Sequence, residues 1–369
     1  MWPISARLRA ALAGDQFVAT KVELLSDGGV TVDLSEAGVV VDGQIDVDNA
    51  EVRRSGRISL VDPSGALAPA AAGDPLAPSG AELRVWRGLL LDDGPELVPL
   101  ATMRFVVVEA NWPRLELECY DRAWTIAGAT IEDTLTVAAG TNYVTAIEQV
   151  LASAWGPGLP TNFPDTDETT PALAYEAEAD PWAIARELAA NLGSQLFFDP
   201  MGVCQMVPEV DTATEPPVWV FDDRDDDDLM LGGTAATWDG TGPNAVIVIG
   251  ENSDTGVAFR GVAYDLDPAS PTQYGGAYGR RPLFLRDEKV TTQFQATMRA
   301  RKELLRRLGI SQQVTVNSMV NPALEVGDVV EVHSERRKLA QLCILERFGV
   351  PLRASGTMAL ETRARQVVA

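Results

Sequence analysis

The sequence is poor in the residues that most often carry enzyme chemistry. Its 369 residues include one histidine, His333, and three cysteines, at positions 119, 204 and 343. The cysteines have no close pairing motif, which argues against a disulfide framework and against a zinc site. A Ser-His-Asp triad would have to use His333, and no G-x-S-x-G turn is present. We therefore predict no catalytic residue, no metal site and no cofactor, and we interpret His333 as an exposed strand residue without a catalytic role.

Long apolar runs and basic charge are also scarce. No run approaches the roughly 18 apolar residues of a membrane span, and residues 1–13 do not resemble a signal peptide. These features predict a chain without a membrane span that is not exported by a cleaved signal. The 53 acidic and 30 basic residues give a net charge of −23, which disfavours specific nucleic-acid binding. General solubility or host-wide acidity would account for this charge.

Two charged runs invite a functional interpretation. The acidic run 222–228 suggests calcium, but the EF-hand pattern fails. When the pattern starts at Asp223, its glycine position holds Asp228 and its final glutamate position holds Thr234. We interpret this run as a solvated loop, with an opportunistic divalent ion as the alternative. The run Glu335-Arg336-Arg337-Lys338 lies between two predicted strands and is interpreted as a solvated hairpin tip, or as a contact for a neighbouring subunit's carboxylates.

Tryptophan and paired carboxylates are the remaining signals for carbohydrate chemistry. No spacing among the 53 acidic residues singles out a pair for glycoside hydrolysis. Most tryptophans fall inside apolar strands or helices, so we predict core packing rather than sugar stacking. The tryptophans concerned are Trp86, Trp124, Trp155, Trp182, Trp219 and Trp238.

The sequence has the alternation of strand patterns and turn signals that predicts many short β-strands. Residues 16–121 read as strand after strand, a spacing that suggests a barrel or sandwich. Turn signals separate these strands at 27–29, 62–65 and 92–95. Helices are predicted at about 143–154 and 182–192, and residues 266–369 predict a helix followed by strands. The fold class is therefore β-rich α+β.

Four local patterns follow one another in the second half of the chain. In residues 180–209, Asp180 is a predicted N-cap and Gly193 closes the helix, before a hairpin turns at 199–202. Residues 237–250 predict a turn and a buried strand. In residues 274–308 a loop precedes a helix, whose apolar stripe is Val290, Phe294, Met298, Leu305 and Leu308, interrupted by Arg301.

The fourth pattern, residues 310–332, combines a strand, a turn at Asn321-Pro322, a second strand and a turn at Gly327-Asp328. Val314 and Val316 show the alternation of a half-buried strand. Leu324-Glu325-Val326 is the predicted second strand, and Gly327 supplies the permissive backbone of a tight turn.

Taken in order, these patterns resemble the bacteriophage tail hub family, whose type member is the baseplate hub protein of T-even phages. The motifs are W-x-x-x-x-x-L-A-x-x-x-G with its hairpin, N-x-V-x-V-x-G, YG-x-R and NP-x-L-x-x-GD-x-V-x-V. They stand at 182–202, 244–250, 278–280 and 321–332. The N-terminal part is similar to the form found in long-tailed phages of actinobacteria. Ala101 departs from that form, because a glycine is expected there.

This resemblance implies a structural virion protein, the tail hub at the distal end of the tail. Such a hub closes the tail tube, seats the tip and surrounds the DNA ejection channel, and it assembles in the host bacterial cytoplasm. The implied partners are further copies in a homotrimer, a distal tail or tube protein, the tape measure, and tip or fibre proteins. A receptor-binding or glycan-cleaving tail-tip protein is the alternative.

The resemblance also implies two tube-like antiparallel β-barrel domains with an α/β insertion. The predicted boundaries are 1–122 for the first tube-like domain, 123–210 for the insertion, 211–265 for a returning β segment, and 266–369 for a helix with the second tube-like segment.

Overall fold

The computed structural model describes most of the chain. It describes residues 1–364 except 15–16, 27–28, 35–39, 66, 79, 210–214, 224–229, 253–256, 269, 288, 308–310 and 336–337. For 26, 29–31, 41, 230–239, 251–252, 311–312 and 364 only the backbone is described.

The described residues contain short helices and many strands. The helices are α1 (Ala6–Ala11), α2 (Arg122–Gly128), α3 (Tyr143–Trp155), α4 (Pro181–Asn191) and α5 (Gln293–Arg307). The strands of the first half are β1 (Val18–Ser26), β2 (Gly29–Asp33), β3 (Val40–Asp48), β4 (Arg54–Val61), β5 (Glu82–Leu91), β6 (Gly94–Asn111), β7 (Arg114–Tyr120), β8 (Leu135–Val137), β9 (Thr161–Asn162) and β10 (Leu173–Tyr175). Those of the second half are β11 (Ser194–Phe198), β12 (Cys204–Pro208), β13 (Trp219–Asp222), β14 (Met230–Asp239), β15 (Ala245–Asn252), β16 (Val257–Tyr264), β17 (Pro282–Arg286), β18 (Ser311–Ser318), β19 (Val329–Ser334), β20 (Leu339–Pro351) and β21 (Met358–Ala364).

One sheet of 13 strands joins the two ends of the chain. Its strands run in the order β14-β18-β21-β20-β3-β4-β7-β6-β5-β1-β2, with β19 pairing β20 and β13 pairing β19. The junction is antiparallel β3–β20, where Val47 is opposite Phe348. The prediction of a β-rich α+β fold is confirmed, and this large sheet is mainly antiparallel. Among the described strands this sheet is open, whereas closed barrels were expected.

The buried face of this sheet follows the period-2 pattern of its strands. In β4, the buried residues Ile58 and Leu60 alternate with less buried neighbours, because successive side chains point to opposite faces. Leu8 of α1 is fully buried in the same core, and Ser5 caps that helix by accepting from the Leu8 amide at 3.0 Å. Val316 and Phe348 belong to the same core, so residues of both chain halves share it.

The insertion has a separate core around α3 and α4. The Asp180 carboxylate accepts from the amides of Trp182 and Ala183 at 2.8 and 3.2 Å, so the predicted N-cap is confirmed. Gly193, the residue predicted to close the helix, follows its last turn with φ +71°. Trp182 is fully buried, stacks on Phe198 with ring centroids 5.4 Å apart, and donates from Nε1 to Glu51 O at 2.9 Å.

The third core lies between α5 and the three-stranded sheet β16-β15-β17. The predicted apolar stripe is only partly right, because Val290 before the helix is buried in this core, whereas the stripe residues Met298 and Leu305 of α5 are only half-buried. Phe294 is 50% exposed, and the buried apolar helix residues are Ala296, Ala300 and Leu304. The small side chains on this face allow the helix to lie very close to the sheet. Leu308 lies outside the described residues.

The segment after β18 also departs from the prediction. Leu324 and Val326 are buried, but Leu324–Val326 is not a strand, and the next strand begins at Val329. Gly327 has φ +93°, as the predicted turn requires, and its amide donates to Leu345 O at 2.8 Å.

Replacing Gly327 with valine tests this turn. A β-branched residue tolerates positive φ poorly, so we expect a loss of about 1 kcal/mol or more in the free energy of unfolding. Assembly should fail before secondary structure is lost, because the turn belongs to the large sheet. Gly73→Val is the matched control, since an added Cβ there meets no atom within 4 Å and φ is not positive. Unchanged melting and assembly of Gly327→Val would show that this glycine is ordinary.

Candidate functional site

The outer face of the large sheet carries most of its charge. On β3, Asp42, Asp46 and Asp48 alternate with the buried residues Ile45 and Val47. The acidic side chains therefore lie on the face opposite the hydrophobic core.

Strand pairing places acidic residues of neighbouring strands in the same rows. Ser59 of β4 is opposite Glu116 of β7, and Glu116 is opposite Glu109 of β6. Arg347 of β20 lies between Asp48 and Glu361 in a second row. We call this surface the acidic face. Its charged residues are Asp42, Asp46, Asp48, Arg57, Glu109, Arg114, Glu116, Glu118, Arg347 and Glu361.

Carboxylates outnumber arginines on the acidic face, and the ion pairs there are long. Arg347 Nε is 3.7 Å from the Asp48 carboxylate, and Arg353 lies 3.5 Å from Asp42. The Tyr120 hydroxyl donates to Glu118 at 2.6 Å, and this hydrogen bond raises the pKa of Tyr120 above its ordinary value. Exposed ion pairs of this kind neutralise little charge, so the face keeps a negative potential.

The second polar feature is the Arg54 junction, where three parts of the chain meet. Arg54 begins β4 and its side chain is fully buried. Its Nε donates to Leu100 O in β6 at 3.0 Å, and one terminal nitrogen donates to Phe198 O in β11. The other nitrogen contacts both Glu325 carboxylate oxygens, at 2.5 and 2.6 Å. One guanidinium thus ties together the first β segment, the insertion and the C-terminal part.

Asp121 stabilises the same junction from the other side. Its carboxylate accepts from the Arg54 amide at 2.8 Å and caps α2 by accepting from the Ala123 amide at 2.9 Å. Burial raises the pKa of Asp121 to about 6, against the opposing effect of these bonds and of Arg54.

The insertion docks beside this junction through a second set of polar contacts. Arg122 of α2 donates to both oxygens of Glu82, at 2.8 and 2.6 Å. Thr102 Oγ1 donates to Pro200 O at 3.0 Å, and Arg104 stacks over the Trp155 ring at 4.2 Å from its centroid. These contacts hold the insertion against β5 and β6.

The residues singled out from the sequence do not meet in a site. His333 lies on β19 with its side chain 19% exposed, and its Nε2 is 2.7 Å from Glu331. The interpretation of His333 as an exposed residue is therefore wrong. In the acidic run, the Asp223 carboxylate accepts from Ser334 Oγ at 2.7 Å and from the Glu335 amide at 2.8 Å. Residues 224–228 lie outside the described residues.

The run 335–338 connects β19 to β20, as the hairpin interpretation predicted. Arg336 and Arg337 lie outside the described residues. Across the described part of the chain, no group of three or more His, Cys, Asp or Glu side chains is arranged to hold a metal ion. No helix found there is long and apolar enough to cross a membrane.

The six tryptophans singled out from the sequence differ in their exposure. Trp182 and Trp219 are buried, and Trp86 and Trp155 are partly buried. Trp124 is 43% exposed, so core packing is the wrong interpretation for it, and it stacks on Tyr120 with ring centroids 5.7 Å apart. For Trp238 the structure describes only the backbone.

Neither the acidic face nor the Arg54 junction was found from the sequence. The alternation in residues 44–48 and 114–120 contains a signal for the face, because acidic and apolar residues alternate there. No local pattern distinguishes Arg54 from Arg53.

The fold matches solved structures along nearly its whole length. A tail protein from Neisseria meningitidis MC58 aligns with a TM-score of 0.62 and 16% identity, covering 95% of this chain and 98% of that one. The fold is that of phage tail proteins. The 43 kDa tail protein of prophage MuSo2 from Shewanella oneidensis aligns with a TM-score of 0.58 and 13% identity, covering 94% and 98% of the two chains. The prophage tail protein gp18 from Listeria monocytogenes EGD-e aligns with a TM-score of 0.56 and 11% identity, covering 93% of this chain and 94% of that one. No family model and no curated protein matches the sequence.

Proposed function

We propose that this protein is a structural component of a phage virion, the tail hub at the distal end of the tail. It closes the tail tube, seats the tip and surrounds the DNA ejection channel. The observation that carries the proposal is the end-to-end match with a tail protein, in which 95% of this chain aligns with 98% of the other. The order of the four sequence motifs supports it independently, as does the similarity of the N-terminal part to the form found in actinobacterial phages.

The proposed functional unit is a homotrimer that contacts the distal tail or tube protein, the tape measure and the tip or fibre proteins. Residues 1–122 and 266–369 supply two tube-like β segments, with 211–265 as the returning segment and 123–210 as the outward insertion. Among the described strands, the edge strands β2 and β14 of the 13-stranded sheet each pair on one side only. This supports ring closure, because unpaired edge strands aggregate unless a neighbour covers them. Three chains then present six β segments to a six-fold tube.

Copy number in assembled tails tests this arrangement. We expect three copies at the tail end, around a channel wide enough for DNA, in a reconstruction of purified tails. The free protein need not be trimeric, because a tube or tip partner can template the ring. Six copies would identify a tube subunit and contradict the hub proposal.

In the proposed ring the acidic face lines the channel. Its negative potential repels the phosphate backbone, so the duplex passes without binding. The triple variant Asp46→Lys, Glu116→Lys, Glu118→Lys should assemble but slow DNA ejection, most strongly at low salt. Glu132→Lys with Asp133→Lys, two exposed acidic residues of the insertion, is the control. Equal ejection rates for the two variants at low salt would show that the face does not line the channel.

The proposal includes no catalytic activity. Purified protein should not cleave host cell-wall glycan or peptide, and turnover that survives further purification would contradict this expectation. One observation favours the alternative of a receptor-binding or glycan-cleaving tip protein. Trp124 and Tyr120 form a partly exposed aromatic stack beside Glu118. Reduced adsorption of particles carrying Trp124→Ala, with unchanged assembly, would support the alternative.

A further inference from the structure

A narrow polar crevice of about 190 Å³ lies between α4, α5, β11 and the turn before β4. The groups that can donate hydrogen bonds into it come from several of these elements. They include Asn49, Arg53, Gln195, Lys302 and Arg306. Positive charge is thus concentrated here, on a protein whose net charge is −23.

Arg53 is buried in this crevice without a carboxylate partner. Only 5% of the residue is exposed, and one terminal nitrogen donates to Gln195 Oε1 at 3.0 Å. Its guanidinium stacks over the Phe197 ring at 3.6 Å from the centroid. Its Nε is buried with no hydrogen-bond partner in the described structure. The adjacent Arg54 is already paired with Glu325.

Lys302 enters the same crevice from α5. It is 8% exposed, and its ammonium donates to a neutral group, Ser194 O, at 2.5 Å. In the part of the chain that the structure describes, no carboxylate lies within ion-pairing distance of Lys302 or Arg53. Two of the carboxylates that line the crevice are already engaged, Glu187 with Lys289 and Glu303 with arginines of its own helix.

A buried cation is costly unless an anion or several hydrogen bonds compensate its lost hydration. Here two such cations converge with amide donors on a space large enough for a small polyatomic anion. We propose that the crevice is a binding site for a small oxyanion, held by Lys302, Arg53 and Gln195. The anion is either free and tetrahedral, like phosphate, or a carboxylate of a neighbouring polypeptide. This inference does not depend on the hub proposal.

Glu209 provides a further test of the proposed anion site. It lines the crevice, and its charge acts on both Arg53 and Lys302 without reaching either closely enough to form an ion pair. A bound oxyanion is repelled by this carboxylate. Glu209→Gln should therefore bind the anion more tightly than the wild type.

Isothermal titration of the full-length chain with sodium sulfate and with sodium acetate, against sodium chloride at equal ionic strength, tests the site. We expect one sulfate per chain, with binding weakened about tenfold or more in Lys302→Met, because a charge-assisted hydrogen bond is lost. Arg301→Met, an exposed neighbour on the same helix, is the control and should bind like the wild type.

The acetate arm identifies the source of the anion. Sulfate binding without acetate binding indicates a free tetrahedral anion, and binding of both indicates a polypeptide carboxylate. Two results would overturn the proposal. One is wild-type protein that binds neither anion, and the other is a folded Lys302→Met that binds as tightly as the wild type, which would indicate an adventitious ion only. If Lys302→Met does not fold, Glu209→Gln provides the test instead. Weaker or absent anion binding by Glu209→Gln would also contradict the proposed site.

The pH dependence provides a second readout. Burial lowers the pKa of Lys302 to about 8, and that of Arg53 to about 10. The bound anion requires the protonated ammonium, so sulfate affinity should fall about tenfold between pH 7 and pH 9, while Arg53 stays mostly charged. Lys302→Met should lack this dependence. The other charged groups around Lys302 are Arg186, Glu187, Glu209, Arg299, Glu303 and Arg306.

Discussion

Arg54→Met is expected to destabilise the protein by about 3–5 kcal/mol, the range for breaking a buried ion pair by removing one partner. The guanidinium contacts Leu100 O, Phe198 O and the Glu325 carboxylate. Methionine fills much of the same volume but leaves the carboxylate without its partner and both carbonyls without a donor. The loss therefore affects all three segments at once.

Arg57→Met is the matched control, because Arg57 is an exposed arginine on the same strand. It should change the free energy of unfolding by less than about 0.5 kcal/mol. Hydrogen exchange of β4, β6 and β11 is the appropriate measurement, since a chain with three cores need not unfold in two states. The double variant Arg54→Met, Glu325→Met should recover part of the loss, because no unpaired charge is left. Equal exchange in Arg54→Met and Arg57→Met would show that the junction does not hold the segments together.

Features set by neighbouring residues could be predicted from the sequence. The Asp180 cap, the turn at 199–202 and the positive φ of Gly327 each depend on a few adjacent positions. Capping and turn preferences act at this range, so the sequence contains the whole signal.

The strand predicted at Leu324–Val326 is absent because side-chain hydrogen bonds compete there with the backbone hydrogen bonds of a β-sheet. The Asn321 carboxamide oxygen accepts from the Ala323 amide at 3.1 Å, and Asp328 accepts from the Glu325 amide at 2.8 Å. These local bonds satisfy amides that a strand would have paired with a neighbour. The apolar residues remain buried, but in a compact turn.

Long-range pairing could not be predicted. Residues 44–48 of β3 pair with 347–351 of β20, about three hundred positions later in the chain. No local pattern specifies that partner, and this pairing creates both the 13-stranded sheet and the extended acidic face. The Arg54 junction is hidden for the same reason, because its partners come from three separate segments.

The helix sequence alone does not predict the buried face of α5, because the residue that determines this face lies on a strand of the facing sheet. Gly261 of β16 packs directly against the helix, where a Cβ built on it would be 1.9 Å from Ala296 O. The helix can approach so closely because Ala296 and Ala300 face the sheet. Periodicity methods weight large apolar residues, so they select Phe294, which is exposed, over these alanines.

Gly261→Ala should therefore cost about 3 kcal/mol, the upper end of the usual range for an overpacked site. A flexible side chain could move aside, but here the new methyl group meets helix backbone, including Ala296 C at 2.0 Å and Thr297 N at 2.5 Å. The helix must shift away from the sheet, which opens gaps beside Val246 and Val248 in the third core.

Hydrogen exchange of α5, β15 and β16 should rise in Gly261→Ala, while β3, β4 and the insertion stay protected, because the third core is separate from the other two. Gly240→Ala is the control, since an added Cβ there meets no atom within 4 Å and φ is not positive. Normal exchange in Gly261→Ala would mean that the helix lies farther from the sheet than the structure has it. Faster exchange throughout the chain would mean instead that the three cores unfold as one unit, so that a change at Gly261 weakens the Arg54 junction as well.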